Sequence, residues 1–528
     1  MHWKLGFLLL SAFSLVSGYK ILLYCQKNGR SQVIYLGHVA NLLVEAGHDV
    51  TVLQIEMNHD VTMNATNKAK IITVPAAPKV KKFFENDATN ELAWIMDVSN
   101  PFAQTVFIRD YALMMADQCA FTATHKSLFE ELRREKFDLM VHELFDHCQL
   151  GILQAIGLHK HIGLQTTILW EGVSEVIGVP NIPSIVPSSF ATNGNMMNLL
   201  DRVVNAIQTE VGRTLTSVNW DAEENIYRRT LGDQFVPFQE VLDNMTFIIT
   251  NSDPFLDFSH PINSKVVELG GLCVKTPKPL SKEWKDVLEK RDRVVLISFG
   301  SIAKSSRMPL HFKEAIAKMI NNFPDVTFVW KYESDEQDFL AGIKNVYTSK
   351  WVPQNDVLHH PNVRLFMTHG GMGSFLEASH RGVPIVGVPL FADQMRNIKS
   401  AEALGTGVYY ERLDLGDVEK LTAAVNKVLS TTSYEENARR LSSLIADRPI
   451  DLKQSFLRHV EFAAMYGAIA SMKSVAPSMN FFSYYMLDAV FVLLLAIFVI
   501  VTVVYKTLQK VAALLVASTN NGRKAKTS

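Results

Sequence analysis

The chain has 528 residues, 20% of them charged, and a formal net charge of −1. That length exceeds what one hydrophobic core serves, so two domains with appendages are expected, and the near-neutral charge argues against a nucleic-acid binder. Cys25, Cys119, Cys148 and Cys273 show no Cys-x-x-Cys and no metal-ligand spacing, which argues against a disulfide scaffold and leaves room for one incidental bridge.

In chain order, "MHWKLGFLLLSAFSLVSG" has a short basic start, an apolar stretch and small residues at its end, the pattern of a secretory signal peptide over residues 1–18. Two sequons, at Asn64 and Asn244, would then meet the glycosylation machinery. "YKILLYC" reads as a strand. Val33, Leu36, Val39, Ala40, Leu43 and Val44 mark one face of a helix, capped at Ala46-Gly47, and "DVTVL" reads as the next strand. This βαβ unit implies a parallel sheet covered by helices. "FDLMVHELFDHCQLGILQAIGL" and "HIGLQTTI" repeat the cadence, with more helical, irregular chain at 60–135 and 170–235.

Residues 269–284, rich in Gly, Pro and Lys, read as a linker between a first domain (19–268) and a second (285–480). The second series runs through "VVLISFGS", "HFKEAIAKMINNFP", "VTFVWKY", "VRLFMTH" and "VPIVGVPL". The expected class is α/β, with two doubly wound domains facing a cleft and ligands at the carboxyl ends of strands. In "MTHGGMGSFLEA" (367–378), Gly370, Gly371 and Gly373 let backbone N–H groups approach an anion, and the following helix start favours negative charge. His369 and Ser374 add donors. Glu377, one turn on, is poor company for phosphate but suits vicinal ribose hydroxyls, so the stretch points to a nucleotide. On these residues alone a tight structural turn is the alternative.

Near the C-terminus, "AVFVLLLAIFVIVTVVY" (489–505) is uncharged and close to membrane-spanning length, with "FFSYYML" placing aromatics at the interface. The expected transmembrane helix is 484–506. Residues 507–528 form a basic tail, which favours a cytosolic tail and a luminal bulk. Lys524 and Lys526 resemble a dilysine retrieval signal, hence a single-pass type I protein of the endoplasmic reticulum membrane.

From Trp351 to Gln394 the chain reads "WVPQNDVLHHPNVRLFMTHGGMGSFLEASHRGVPIVGVPLFADQ". This closely resembles the donor-binding signature of the UDP-glycosyltransferases, which include the membrane-bound UDP-glucuronosyltransferases. The resemblance extends over effectively the whole chain. It implies a GT-B fold of two Rossmann-like domains, with acceptor bound in the first and donor in the second. It further implies that Trp351 stacks on or flanks uracil, Gln354 reaches the uridine, and His369 and Ser374 contact the phosphates. Glu377 would hold ribose hydroxyls, Asp393 and Gln394 the sugar hydroxyls, and Ser301 would line the diphosphate pocket. Gly371 and Gly373 would offer backbone N–H groups, although Gly373 stands where many relatives have asparagine. UDP-glucose or UDP-glucuronate is the implied co-substrate and a small lipophilic molecule the acceptor, as in detoxification-type xenobiotic conjugation. No permanently bound cofactor is expected, and homo- or hetero-oligomerisation is left open.

Inverting transfer benefits from a base of near-neutral pKa, worth roughly 10²–10⁴-fold. UDP leaves readily if its charge meets a helix dipole and donors, and the sequence has no Asp-x-Asp triplet, so no metal is expected. In the family the base is a histidine in a Ser-His pair, oriented by an acid after a later strand. Here "GRSQVIYLGH" places Ser31 as expected but Gln32 at the histidine position, with Glu143 as the acid. Glutamine does not titrate. His38 lies about 240° round the helix from position 32 and points elsewhere. His48 follows the helix cap and reads as structural. His142 and His147 are five apart, not the four that align zinc ligands. Three readings follow: transfer to acceptors needing little deprotonation, such as amines, thiols or acidic phenols; Glu143 as a direct base; or a catalytically silent relative that binds nucleotide sugar or a lipophilic ligand, or serves as a partner subunit.

Overall fold

In the computed structural model, residues 18–85, 93–96 and 101–524 are described; the signal-type leader up to residue 17 and Lys526 lie outside them. The strands of the first sheet are β1 (Lys20–Lys27), β2 (Asp49–Glu56), β3 (Lys70–Val74), β4 (Leu139–Glu143), β5 (His161–Gln165), β6 (Ile248–Thr250) and β7 (Val266–Glu268). The second sheet holds β8 (Val294–Ser298), β9 (Thr327–Lys331), β10 (Val346–Ser349), β11 (Val363–Thr368), β12 (Ile385–Gly387) and β13 (Gly407–Tyr409). All pairings are parallel, in the orders β3-β2-β1-β4-β5-β6-β7 and β10-β9-β8-β11-β12-β13. Each order therefore turns back on itself once, between β1 and β4 and between β8 and β11. Both are Rossmann-like domains.

Helices cover both faces, which is why the central strands read as near-continuous apolar runs rather than alternating ones. Every residue of β8 and all but the first of β1 are buried. The helices that matter below are α1 (Arg30–Glu45), α2 (Pro101–Ala123), α3 (Cys148–Ile156), α4 (Glu171–Val176), α5 (Leu199–Leu231), α6 (Met372–Arg381), α7 (Gln394–Ala403), α8 (Leu452–Tyr466) and α9 (Leu487–Lys524). The periodic face of α1 packs as expected, with Val33, Leu36, Val39, Ala40 and Leu43 fully buried. One bridge, Cys119–Cys148, ties α2 to the start of α3; Cys25 and Cys273 are free.

Several described segments cross between the sheets, among them two that enter the core of the other sheet far out of chain order. Trp94, from the first half of the chain, is fully buried in the core of the second sheet, edge-on to Phe299 at 5.3 Å, with Nε1 donating to the Lys304 carbonyl at 3.2 Å. In the reverse direction, α8 follows the second sheet in sequence yet packs Phe456, Val460, Ala463 and Ala464 into the core of the first. Residues up to Lys473 form one compact unit.

The remaining residues, from Ser474, form another unit whose main element is α9. Leu487–Ser518 is long and apolar enough to cross a membrane. The helix runs on to Lys524, well past the expected end of the span at residue 506. Its continuation "KTLQKVAALLVAS" holds no proline or glycine and many good helix formers, and the helix carries on through Gly522.

Gly37 sits mid-helix, where glycine ordinarily costs about 0.5–1 kcal/mol against alanine. A Cβ there would lie 1.8 Å from the Ala65 carbonyl oxygen, so the glycine permits a close backbone approach. Gly37→Ala is expected to destabilise by about 1–3 kcal/mol or more through overpacking, read as a lowered thermal midpoint. A second expectation concerns Asp146, buried beside Tyr24, whose hydroxyl donates to it at 3.2 Å, and Gln26, whose amide also donates. Burial pushes its carboxyl up to about 7 from an ordinary 3.8, against those two hydrogen bonds. The folded state then holds a proton that the unfolded chain releases, so stability falls as pH rises from about 4 towards 7. Melting curves across that window should fall less steeply for Asp146→Asn.

Candidate active site

The second sheet delivers its site at the switch between β8 and β11. After Thr368 the chain turns through His369, Gly370 and Gly371 into α6. Gly370 has φ +79°, in the left-handed region that glycine adopts without strain, and a Cβ there would lie 2.4 Å from Ile398. His369 is clasped between two glycines: a Cβ at either Gly300 or Gly371 would lie 2.6 Å from its Nε2. Burial, helped by Lys331, lowers its pKa to about 4, so the imidazole is neutral at physiological pH. Gly371 caps α6 with no side-chain hydrogen bond, leaving the first-turn N–H groups without a capping partner. Ser301 follows Gly300, whose carbonyl accepts from Lys331 Nζ at 2.7 Å. A Cβ at Gly373 would meet nothing within 4 Å, so the space a larger side chain would take is open.

A second group lies along the same helix. Gln354 Nε2 donates both to Glu377 Oε2 (2.7 Å) and to Ser374 Oγ (3.0 Å), joining three of the expected residues in one network. Burial raises the Glu377 pKa, opposed by the Gln354 hydrogen bond and Arg381. Trp351 is 48% exposed, and the guanidinium of Arg30 lies 3.9 Å from its ring centroid. That contact joins the start of α1 in the first domain to the second domain.

Asp393 is buried and accepts from Asn397 Nδ2 at 2.8 Å; the same amide donates to the Gly370 carbonyl at 3.0 Å. Asn397 thus ties the glycine turn to the start of α7. Although Asp393 precedes α7, its side chain caps no helix N–H. Burial lifts its pKa to about 6. The carbonyl of Gln394 is taken by the N–H groups of Leu390 (2.8 Å) and Phe391 (3.2 Å), which leaves its amide nitrogen to donate. Ala392 holds φ +58°, an unusual conformation for a residue with a Cβ, just ahead of this pair.

The first sheet offers the corresponding switch, between β1 and β4. Glu143 ends β4 and is 4% exposed. Gln32, in the first turn of α1, donates from Nε2 to Glu143 Oε2, and the Thr166 hydroxyl donates to Oε1. Both carboxylate oxygens are thereby engaged. Burial raises the Glu143 pKa, with the Thr166 and Gln32 hydrogen bonds working against it. Because the Gln32 amide nitrogen is held by the carboxylate, its carbonyl oxygen is the end left for another molecule. His38 stands away from this pair, near Leu272 and Lys275, and His48 Nδ1 accepts from the Tyr19 N–H. His142 pairs with His161 at 2.8 Å, whereas the His147 ring lies tilted against Trp220, centroids 4.9 Å apart. Thr166, Asn397 and Arg30 had no signal in the sequence beyond their places near a strand end or helix start, since Thr166 and Arg30 act through distant partners and Asn397 joins its neighbour Asp393 to Gly370, 27 residues away.

The family model for UDP-glucoronosyl and UDP-glucosyl transferases matches residues 20–522. The putative UDP-glucuronosyltransferase ugt-47 of Caenorhabditis elegans is 26% identical over 480 residues, covering 89% of each chain. UDP-glucuronosyltransferase 1-2 of Mus musculus is 29% identical over 412 residues, covering 77% of this chain and 75% of that one. The glycotransferase of kitacinnamycin aligns with TM-score 0.55 at 18% identity, and the glycosyltransferase SnogD of Streptomyces nogalater with 0.52 at 17%. Each of these alignments covers 84% of this chain and 99% of the other, and both speak for the fold. With the GT-B fold and a family match over nearly its whole length, the chain belongs to the UDP-glucuronosyl and UDP-glucosyl transferase family.

Proposed function

We propose that the protein is an inverting transferase that moves a hexose or glucuronic acid from its UDP-sugar to a small lipophilic acceptor. The observation that carries this reading is the linked cluster at the β8/β11 switch: a neutral His369 beside an uncapped helix start, with Gln354, Ser374 and Glu377 hydrogen-bonded to one another. In the proposed complex the diphosphate lies over the N–H groups opening α6, the ribose hydroxyls donate to Glu377, and uracil lies against Trp351. Asp393 and Gln394 take sugar hydroxyls as acceptor and donor, and Ser301 lies against the diphosphate. As the acceptor attacks the anomeric carbon, the bond to the phosphate oxygen breaks, its electron pair leaves with UDP, and oriented N–H groups stabilise the charge on that oxygen, a task that calls for no metal ion.

The proton is the harder half. A nucleophile that donates to the Gln32 carbonyl is oriented but not deprotonated. Amines and thiols, and phenols acidic enough to ionise alone, suit such a site better than alcohols. Glu143 is a weaker candidate for direct base, because both of its oxygens already accept hydrogen bonds. The apolar helix Leu487–Ser518 supports a membrane anchor, and exposed Asn64 and Asn244 suit glycosylation. With the basic tail these favour a single-pass protein of the endoplasmic reticulum whose two Rossmann-like domains are luminal. The reading as a silent binding partner rests on Gln32 alone.

Calorimetry with UDP on the purified chain should give saturable heat, weakened roughly tenfold or more by His369→Ala or Glu377→Ala, as expected for lost hydrogen bonds to a charged ligand. No heat with wild-type protein would remove the donor-site assignment. Product formation should be measured with UDP-glucose and UDP-glucuronate against amine, thiol, phenol and alcohol acceptors. The wild type should favour the first three, and Gln32→His should raise turnover of alcohols by roughly 10²–10⁴-fold. No product from either protein with any pair would favour the silent reading.

A further inference from the structure

A cavity outside both switch points has walls whose polar atoms are left incomplete. It is open to solvent and small, with about 40 Å³ accessible to water-sized groups, between the chain after β5, the chain after β6 and the first turn of α7. None of the residues assigned above to donor or acceptor chemistry lines it. The wall carries Glu171, Ser189, Asp257 and Arg396, each at least nine-tenths buried.

Each nitrogen of Arg396 has a protein acceptor, through three of its five N–H groups. Its Nε and Nη2 donate to Asp257 Oδ1 at 3.0 and 2.8 Å, Nη1 donates to the Pro187 carbonyl, and the guanidinium lies 5.5 Å from the Phe258 ring centroid. The acceptors are less well served. Glu171 Oε1 receives the Ser189 N–H, but Glu171 Oε2, Ser189 Oγ and Asp257 Oδ2 have no hydrogen-bond partner. His260 Nδ1 is 3.7 Å from Asp257 Oδ2 and is already engaged with the Phe258 carbonyl at 2.8 Å. Room for the Glu171 carboxylate is made by α5, where a Cβ at Gly212 would lie 2.6 Å from Oε2.

Buried acceptors without donors are costly, and a buried carboxylate without a counter-charge more so. The wall has spent its one guanidinium on Asp257 and supplies nothing equivalent to Glu171. What completes it must bring positive charge and several N–H donors. We propose that this cavity is a binding site for a small molecule bearing a protonated primary amine, with the ammonium held chiefly by Glu171 and turned by Ser189 and Asp257. The site is independent of the transferase reading, although Arg396 stands two residues after Gln394 and so connects the cavity wall to the start of α7.

The test is calorimetry on the full-length protein with ethylammonium and benzylammonium, set against ethanol, benzyl alcohol and potassium ion, and with UDP run on the same samples. Saturable heats are expected from the ammonium compounds and not from the alcohols. Glu171→Gln should weaken them roughly tenfold or more. Gly212→Ala, which crowds the carboxylate without changing charge, should weaken them too, and thermal melts identify any variant that fails to fold. UDP heats should be unchanged in both variants. The proposal is overturned by the absence of ammonium binding (a cavity filled by water alone), by equal binding of alcohols, by heat from potassium only, or by equal affinity in wild type and Glu171→Gln. Loss of UDP heat in the wild type would strike the donor-site assignment and leave this one standing.

Discussion

In a parallel sheet every strand presents its carboxyl end to the same edge, and a crevice opens where the crossover connections part to opposite sides. This chain makes that arrangement twice, with the sheet order reversing between β1 and β4 and again between β8 and β11. The two reversals set out what is close to what. Gln32 and Glu143 meet across one, Gly300 and His369 across the other, although each pair is far apart in sequence. The apolar strands beneath, buried on both faces, hold those edges still.

A rigid edge allows polar groups to be buried in chosen protonation states. Burial keeps His369 neutral and pushes Glu377 and Asp393 towards their protonated forms, while hydrogen bonds from Gln354 and Asn397 pull the carboxylates back. The amide side chains are therefore structural partners of the acids. Asn397 shows this best, since one amide nitrogen touches both the Gly370 carbonyl and Asp393. Phosphate-facing and sugar-facing parts of the proposed donor site cannot shift separately while that bridge stands. Such pre-arranged dipoles stabilise developing charge without reorganising during the reaction.

Much of this architecture is legible in the sequence because it is local. The βαβ cadence, the periodic face of α1 and the glycine turn before α6 each occupy a short window, and the structure places all three where the pattern puts them. Long-range partnerships are not legible in that way. Thr166 bonds Glu143, Cys119 pairs with Cys148, Trp94 enters the second core, and α8 returns to the first sheet, none of it foreshadowed by periodicity. The length of α9 was hidden for a different reason: charge marks where a membrane span should stop, but it does not interrupt the helical backbone, which runs on to Lys524, the last described residue.

On the proposed reading, in which Gln32 takes the place of a catalytic histidine, the consequence lies in the direction of one hydrogen bond. A histidine there would donate to the acid through one ring nitrogen and use the other to take a proton. Glutamine reproduces the first half, since its Nε2 donates to Glu143, and it leaves the side-chain carbonyl as an acceptor in place of the second ring nitrogen. Only basicity is lost. The retained acid is what makes this specific: without Glu143 the amide could turn over and present N–H groups, repelling a nucleophile that must donate. With it, the side chain offers a fixed acceptor of hydrogen bonds. On the proposed reading the substitution therefore selects among nucleophiles, favouring those that need no enzymic base: amines, which attack first and shed the proton afterwards, and thiols or acidic phenols, which ionise beforehand.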